Sequence, residues 1–265
     1  ADLVDVDSEK WRQYAEKHSG PMRWIYRREG RLLLPYEQRI VENFQRTFLV
    51  SEEEKGVLSQ YGPVDTVEGL SNGVDLEYFS PLAVSPEPEP STGTRLVFSG
   101  AMDYWPNVEG AVWFAENVFP EIKKVCPDAV FCIAGRNPTD AVLALKKVPG
   151  LEVTGAVPDM RVELAKATLC VVPLLIARGI QNKVLEGMAM QKAVVATVGA
   201  ATGLKAIPGE EVMVVEDAAD MAQSVIDLLQ APERQQTIGR KARAYVEREH
   251  SWEAHLSRLD ELIDR

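Results

Sequence analysis

The stretch LCVVPLLIARGIQNKVLEGMAMQKAVVAT, residues 169–197, sets the architecture of the chain. It opens with an apolar run (169–175), breaks at Arg178 and Gly179, and passes through the polar triplet Gln181, Asn182 and Lys183. It then reads as a small-residue helix and closes in a second β-rich run, AVVAT (193–197). Neither apolar run alternates with polar residues. A strand with one wet face alternates, whereas a strand covered by helices on both faces does not. The unit therefore predicts strand, helix and parallel strand. Packing alone does not account for Lys183 and Glu186, two charges in the first turns of a helix whose other residues (Val184, Leu185, Gly187, Met188, Ala189) are small or apolar.

The same rhythm extends outward in both directions. LVFSG (96–100) leads to NVEGAVWFAENVFPEIKKV (107–125), AVFCIAG (129–135) to TDAVLALKKV (139–148), and LEVTG (151–155) to DMRVELAKA (159–167). EVMVVE (211–216) adds a further strand, and DAADMAQSVIDLLQ (217–230) follows with an Asp at its cap position. Two more helices, ERQQTIGRKARAYVEREH (233–250) and SWEAHLSRLDELIDR (251–265), end the chain. The fold class is α/β, with a Rossmann-like parallel sheet.

Residues 82–95, LAVSPEPEPSTGTR, have linker composition. Before them, ADLVDV reads as the tail of a strand, and MRWIYRREGRLLLPYEQRIVENFQ (22–45) as a long helix that Pro35 kinks or breaks. TFLVS (47–51) reads as a strand, EEEKGVLSQY (52–61) as a helix, and DTVEGL (65–70) contains a short strand. This piece is a partial second α/β domain. The expected division is 1–81, a linker over 82–95, a ligand-binding domain over 96–240, and closing helices over 241–265.

The net charge of −11 and pI near 4.9 argue against a nucleic-acid partner, which needs a basic face. No apolar run approaches the roughly 20 residues that cross a bilayer. The opening ADLVDVDSEKW lacks the features of a signal peptide, so a cytoplasmic chain is expected. It starts on Ala1, in what reads as mid-strand, and suggests a fragment or processed chain whose N-terminus lies upstream. Cys126, Cys132 and Cys170 are too few for a disulfide framework; Cys132 and Cys170 sit in apolar runs and read as buried thiols. His18, His250 and His255 have no metal-ligand spacing, and no metal is expected. Dinucleotide, P-loop and hydrolase-elbow fingerprints are absent.

In an open parallel sheet, ligands bind outside the carboxyl ends of the strands. The strands here deliver Gly100, with Asp103 and Asn107 behind it, then Gly135-Arg136-Asn137, then Gly155 with Val157 and Asp159, and then Arg178-Gly179 leading to the IQNK helix start. Arg136, Arg178 and Lys183 bring cations to one edge of an acidic protein. Glycines, cations and a helix N-terminus together suit a phosphate or diphosphate. Each element alone has a plainer reading. A glycine after a strand is ordinary turn chemistry, and Lys183 with Glu186 is an i,i+3 pair worth under about 1 kcal/mol on an open surface. Position argues otherwise for Glu186, which lies on a helix that packs on the sheet. A carboxylate beside a phosphate cradle suits vicinal sugar hydroxyls, as in the ribose contact of dinucleotide sites.

Taken in order, NGVDLEYFSP (72–81), LVFSGAMDYWPN (96–107), FCIAGRNP (131–138), VTGAVPD (153–159), NKVLEGMAMQKAVVAT (182–197) and HSWE (250–253) resemble the retaining glycosyltransferases of the GT-B fold, of the family 4 or group 1 type. Within these the chain resembles bacterial sugar transferases linked to exopolysaccharide production. The resemblance implies a donor domain over 96–240, the C-terminal half of a GT-B enzyme, and only the last part of an acceptor domain before it. The closing helices would cross back toward the first part. It implies a nucleotide-sugar donor, UDP- or GDP-linked, as substrate, no cofactor, and a glycan or lipid-linked acceptor. Glu186 matches the second glutamate of the family's E-x7-E motif, which binds the donor ribose, while Arg178 replaces the first. Gly179, Ile180, Gln181, Asn182 and Lys183 match the loop and helix start at the diphosphate and sugar. Gly100 matches the first donor-domain loop, Asn107 stands where a basic residue is expected, and Gly135, Arg136 and Val157 match positions that frame the base. Lys183, and then Arg178, are the expected stabilisers of the departing diphosphate.

Two other readings stand beside transfer: a nucleotide-binding module that does not turn over in this form, and a nucleotide-sugar 2-epimerase of the same architecture. RREGR, with Arg27, Arg28 and Arg31, reads first as a solvated helix face and second as a contact with anionic lipid at the inner membrane surface. Trp105 falls in a candidate ligand loop, and Trp113 and Trp252 are expected in cores.

Overall fold

The computed structural model describes residues 1–84, 94–177, 179–253 and 256. By its internal contacts the chain forms two units, the first comprising 1–72 and the short segment ending at Ile180, the second comprising the rest.

In the first unit, β1 (Asp2–Val4) leads through α1 (Asp7–Lys17) and α2 (Gly20–Asn43) to β2 (Thr47–Leu49), α3 (Glu52–Leu58) and β3 (Val67–Gly69). The strands form a parallel sheet in the order β1-β2-β3. Its core is Val6, Val41, Leu49, Leu58 and Val67. Two buried carboxylates join the helices to this core. Glu37 of α2 accepts hydrogen bonds from the backbone N–H and the hydroxyl of Ser8. It thereby satisfies the N-terminus of α1, where Val6 has no capping side chain. Glu54 accepts the N–H of Val6 at 2.8 Å, and Ser51 caps α3 by accepting the N–H of Glu54.

Two features of this unit differ from the sequence reading. The helix α1 was not read from the sequence at all. Pro35 does not break α2, which runs through it to Asn43. Proline removes one donor, but its carbonyl still serves as an acceptor, here for the Arg39 Nε–H at 3.2 Å.

The second unit contains β4 (Arg95–Ser99), α4 (Trp105–Asn117), α5 (Phe119–Val125), β5 (Val130–Ala134), α6 (Asp140–Ala144), β6 (Leu151–Gly155), α7 (Met160–Lys166), β7 (Leu169–Val172), α8 (Asn182–Ala189), β8 (Val194–Thr197), β9 (Met213–Val215), α9 (Ala218–Gln230) and α10 (Pro232–Glu249). The segment 107–125, read as one helix, is two. Val118 caps both, ending the first at φ −111°, and the second starts at Phe119 with Pro120 in its first turn. The six strands are all parallel in the order β6-β5-β4-β7-β8-β9. The chain thus winds outward one way from β4, returns, and winds the other way from β7. Between β4 and β7 the loops leave in opposite directions and open a crevice at the carboxyl end of the sheet.

The central strands are buried on both faces, as their sequences require. Cys132 on β5 and Cys170 on β7 lie in this core, and burial pushes both thiols up to about 12. Phe114 of α4 packs on Phe131 of β5 with ring centroids 4.4 Å apart. Residues 73–81, placed with the N-terminal part by composition, group with this unit. Val74 donates to the His250 carbonyl, and the Arg243 guanidinium donates to the carbonyls of Leu76 and Phe79 and to that of Ala189, at the end of α8. The proline-rich stretch and most of the last helix lie outside the described residues. Trp252 is exposed rather than in a core, with one face of its indole lying on Gly73. Trp113 is half-buried. Among the described residues no helix is long and apolar enough to cross a membrane.

Gly110 sets how closely α4 approaches the sheet: a Cβ there would lie 2.6 Å from the carbonyl oxygen of Pro173, just beyond β7. Gly56 in α3 has open space around it. Glycine-to-alanine in a helix normally stabilises by about 0.5–1 kcal/mol. Gly56→Ala is therefore expected to raise the midpoint of thermal unfolding, and Gly110→Ala to lower it by more than the propensity gain, as melting curves of the two variants will show.

Candidate functional site

The crevice is shaped first by backbone. β4 ends at Gly100 and β5 at Gly135, both at φ +157°. A Cβ on Gly135 would fall 1.6 Å from the Gly100 carbonyl oxygen, and one on Gly100 would meet the Asn107 side chain. Backbone cannot yield as a flexible side chain can, so position 135 admits glycine alone. The pairing of β4 and β5 continues past the strands: the N–H of Gly100 donates to the Ala134 carbonyl at 3.0 Å, and that of Met102 to the Arg136 carbonyl at 2.8 Å. Gly135 donates onward to the Gly155 carbonyl at 3.2 Å.

Asn107, in the first turn of α4, is 3% exposed. Its Nδ2 donates to the Ala101 carbonyl at 2.8 Å, and its Oδ1 accepts from Lys183 Nζ at 2.6 Å. An ammonium can only donate, so the oxygen must face the lysine and the amide nitrogen the carbonyl. This contact spans the crevice. One partner comes from the helix after β4 and the other from the second residue of α8, the helix after β7. The ammonium also lies 5.4 Å from the centroid of the Phe98 ring, on β4.

Lys183 is placed against its own electrostatics. It is half-buried, and it sits at the helix end where the dipole disfavours a cation. Burial pushes its ammonium down to about 8, with Glu186 pulling the other way. Glu186, one turn further on, is raised by burial and lowered in part by Lys183. Lys183 thus bonds to Asn107 across the crevice rather than forming a surface pair along its helix. An anion bound here would push the ammonium back up toward its ordinary range, and the Glu186 carboxylate remains available as an acceptor.

The other expected residues fall around this cluster. Arg136 is exposed on the loop bonded to Met102, and Val157 is half-buried beyond β6. Gln181 takes the N-cap position of α8 and Asn182 the first helical position. Gly179 and Ile180 are buried and group with the first unit, Gly179 at φ +59°. Arg178 lies outside the described residues. Asp103 accepts from Asn137 Nδ2 at 2.8 Å. Asp159 is engaged in capping α7 and in an ion pair with Arg161, whose hydrogen bonds hold its carboxyl below the usual range. Arg161 stacks 3.8 Å above the Tyr78 ring, a contact that the sequence reading missed. Phe98 was missed too, because an apolar strand residue carries no sign of what lies over it. Among the described residues no group of His, Cys, Asp or Glu is placed to hold a metal ion.

A six-stranded parallel sheet in this order, with a lysine and a carboxylate at its reversal point, defines an α/β fold of the Rossmann kind. The family model described as "Glycosyl transferases group 1" matches residues 93–231, just over half of the chain, and the chain belongs to that family. No curated protein matches it. Among solved structures, it is similar to Alr3699/HepE from Anabaena in complex with UDP and glucose, at 14% identity and TM-score 0.74, covering 87% of this chain and 66% of that one. It is also similar to sucrose-phosphate synthase from Thermosynechococcus elongatus, at 20% identity and TM-score 0.70, covering 87% and 60%. The C-terminal domain of a group 1 glycosyl transferase (LpcC) from Francisella tularensis is matched over all its length by 68% of this chain, at 17% identity and TM-score 0.54. The α/β fold with parallel sheets is the one these GT-B structures share. The chain spans about three-fifths to two-thirds of the length of the first two.

The pKa of Lys183 fixes the sign of a stability effect. The folded value lies below the ordinary 10.5, so the charged lysine costs stability in full below about pH 8. That cost, at most about 3 kcal/mol, is relieved as pH rises from the folded toward the unfolded pKa. Relative to Lys183→Met, the natural protein is therefore expected to gain stability between about pH 8 and 10.5. Denaturant unfolding of both proteins across that range measures the difference.

Proposed function

We propose that this chain carries the donor half of a glycosyltransferase, which moves a sugar from a UDP- or GDP-linked donor to a glycan or lipid-linked acceptor. The observation that carries the reading is the Lys183 ammonium, half-buried at the reversal point of the sheet, with the Glu186 carboxylate one turn further along the same helix. A diphosphate against Lys183 and the first N–H groups of α8 would put the ribose hydroxyls within reach of Glu186. UDP and glucose in the Anabaena protein's structure support that donor class.

In the proposed reaction the bond from the anomeric carbon to the leaving β-phosphate oxygen breaks as the acceptor oxygen bonds to that carbon. The acceptor's proton passes to the departing diphosphate. Configuration at the anomeric carbon is retained, as the family resemblance implies. Charge accumulates on the diphosphate in the transition state, and Lys183 with the helix N–H groups is already aimed there. One such preorganised donor is worth about 2.7–4 kcal/mol in the barrier. Asn107 holds the ammonium in place through the hydrogen bond to its Nζ. We assign Arg178 a second cationic role, and the pathway to exopolysaccharide or a related glycoconjugate.

Calorimetric titration with UDP, GDP and ADP tests the reading. One nucleotide is expected to bind saturably, and Glu186→Ala to weaken it at least about tenfold, equivalent to about 1.4 kcal/mol. Binding that is indifferent to the substitution would move the ribose away from α8. Binding by none of the three would overturn the donor-site assignment.

A further inference from the structure

The helix α2 presents two adjoining rows of side chains to solvent. Met22, Ile25, Leu32 and Tyr36 form one row, all exposed, and Trp24, Arg27, Arg28 and Arg31 form the other. At 3.6 residues per turn these spacings place the rows side by side, while Gly30, Glu37 and Val41 face the core. Trp24 is 67% exposed, Tyr36 56% and Leu32 50%, and large apolar side chains grouped in this way mark an interaction surface. Its charge is the reverse of the chain's. Residues 20–34 contain four arginines and one carboxylate, Glu29, within a chain of net charge −11. Arg28 pairs with Glu29 at 2.7 Å, and among the described residues Arg23, Arg27 and Arg31 make no ion pair.

We infer that α2 docks the protein on an anionic lipid bilayer. The helix lies in the plane of the interface, with Trp24, Ile25, Leu32 and Tyr36 entering the boundary between headgroups and acyl chains and the arginines on lipid phosphates. Charge decides among the possible occupants. A second copy of this helix, meeting it face to face, would bring arginine against arginine. A negatively charged surface attracts this face and repels the acidic remainder, so one orientation is selected. The inference does not depend on the donor-site assignment.

Flotation of the chain with vesicles tests it, comparing pure phosphatidylcholine with equal parts phosphatidylcholine and phosphatidylglycerol. Partitioning is expected to be at least about tenfold stronger on the anionic vesicles and to weaken as salt is added. The triple variant R27E/R28E/R31E is expected to lose that preference, and Ile25→Ser with Leu32→Ser to weaken binding on its own, with circular dichroism reporting that each variant folds. A blue shift of emission on vesicle binding that is diminished in Trp24→Phe would place that indole in the lipid. Equal partitioning on both compositions, no binding, or binding unaltered by the charge reversal would overturn the inference. So would self-association that the Ile25 and Leu32 substitutions abolish in a protein that ignores vesicles.

Discussion

The hydrogen bond from Lys183 to Asn107 is the contact around which the second unit is arranged. It joins the first turns of α4 and α8 across the reversal point of the sheet, and each surrounding detail accommodates it. The Asn107 amide is committed on both sides, to the lysine and to the Ala101 carbonyl, and so ties the loop leaving β4 to α8. Glycine at 100 leaves room for that amide, and glycine at 110 lets α4 lie close enough to present it. A lysine in this position opposes both solvation and the helix dipole. A fold optimised for stability alone would place an uncharged residue there, and such local costs are commonly kept where a ligand is bound.

The electrostatics of the molecule are correspondingly divided. The chain is acidic, yet its crevice holds a cation and α2 carries a basic row. Lys183 and Glu186 shift each other in opposite directions while burial penalises both charges. A ligand with an anionic part and a hydroxyl-bearing part would satisfy the two together, which neither a simple anion nor a simple sugar would do.

Much of this architecture was legible in the sequence, because strands buried on both faces leave unbroken apolar runs and βα units repeat them at regular intervals. The runs at 96–100, 129–135, 151–155 and 169–175 each coincide with a strand, and the carboxyl-end rule located Gly100, Asn107 and Lys183 on one edge. The partnership within that edge was not legible. Nothing in the spacing of Asn107 and Lys183, which are 76 residues apart, announces a hydrogen bond, and Asn107 stood as a mere substitute for a basic residue. The helix α1 was missed because its cap is supplied by Glu37, from another helix. Pro35 does not end α2 because proline propensity describes an isolated helix, whereas α2 packs on α1 and the core. Composition marked a linker but gave no sign that the segment just before it is tied at Leu76 and Phe79 to α10 by Arg243.

The buried thiols have a practical consequence. Cys132 and Cys170 sit on β5 and β7, the two strands that flank β4, and both remain protonated well beyond neutral pH, while Cys126 is half-buried at the end of α5. A thiolate, not a thiol, reacts with alkylating reagents. In the folded protein Cys126 is thus the one cysteine open to rapid labelling, and modification of the other two becomes a clock that ticks only when the central sheet comes apart.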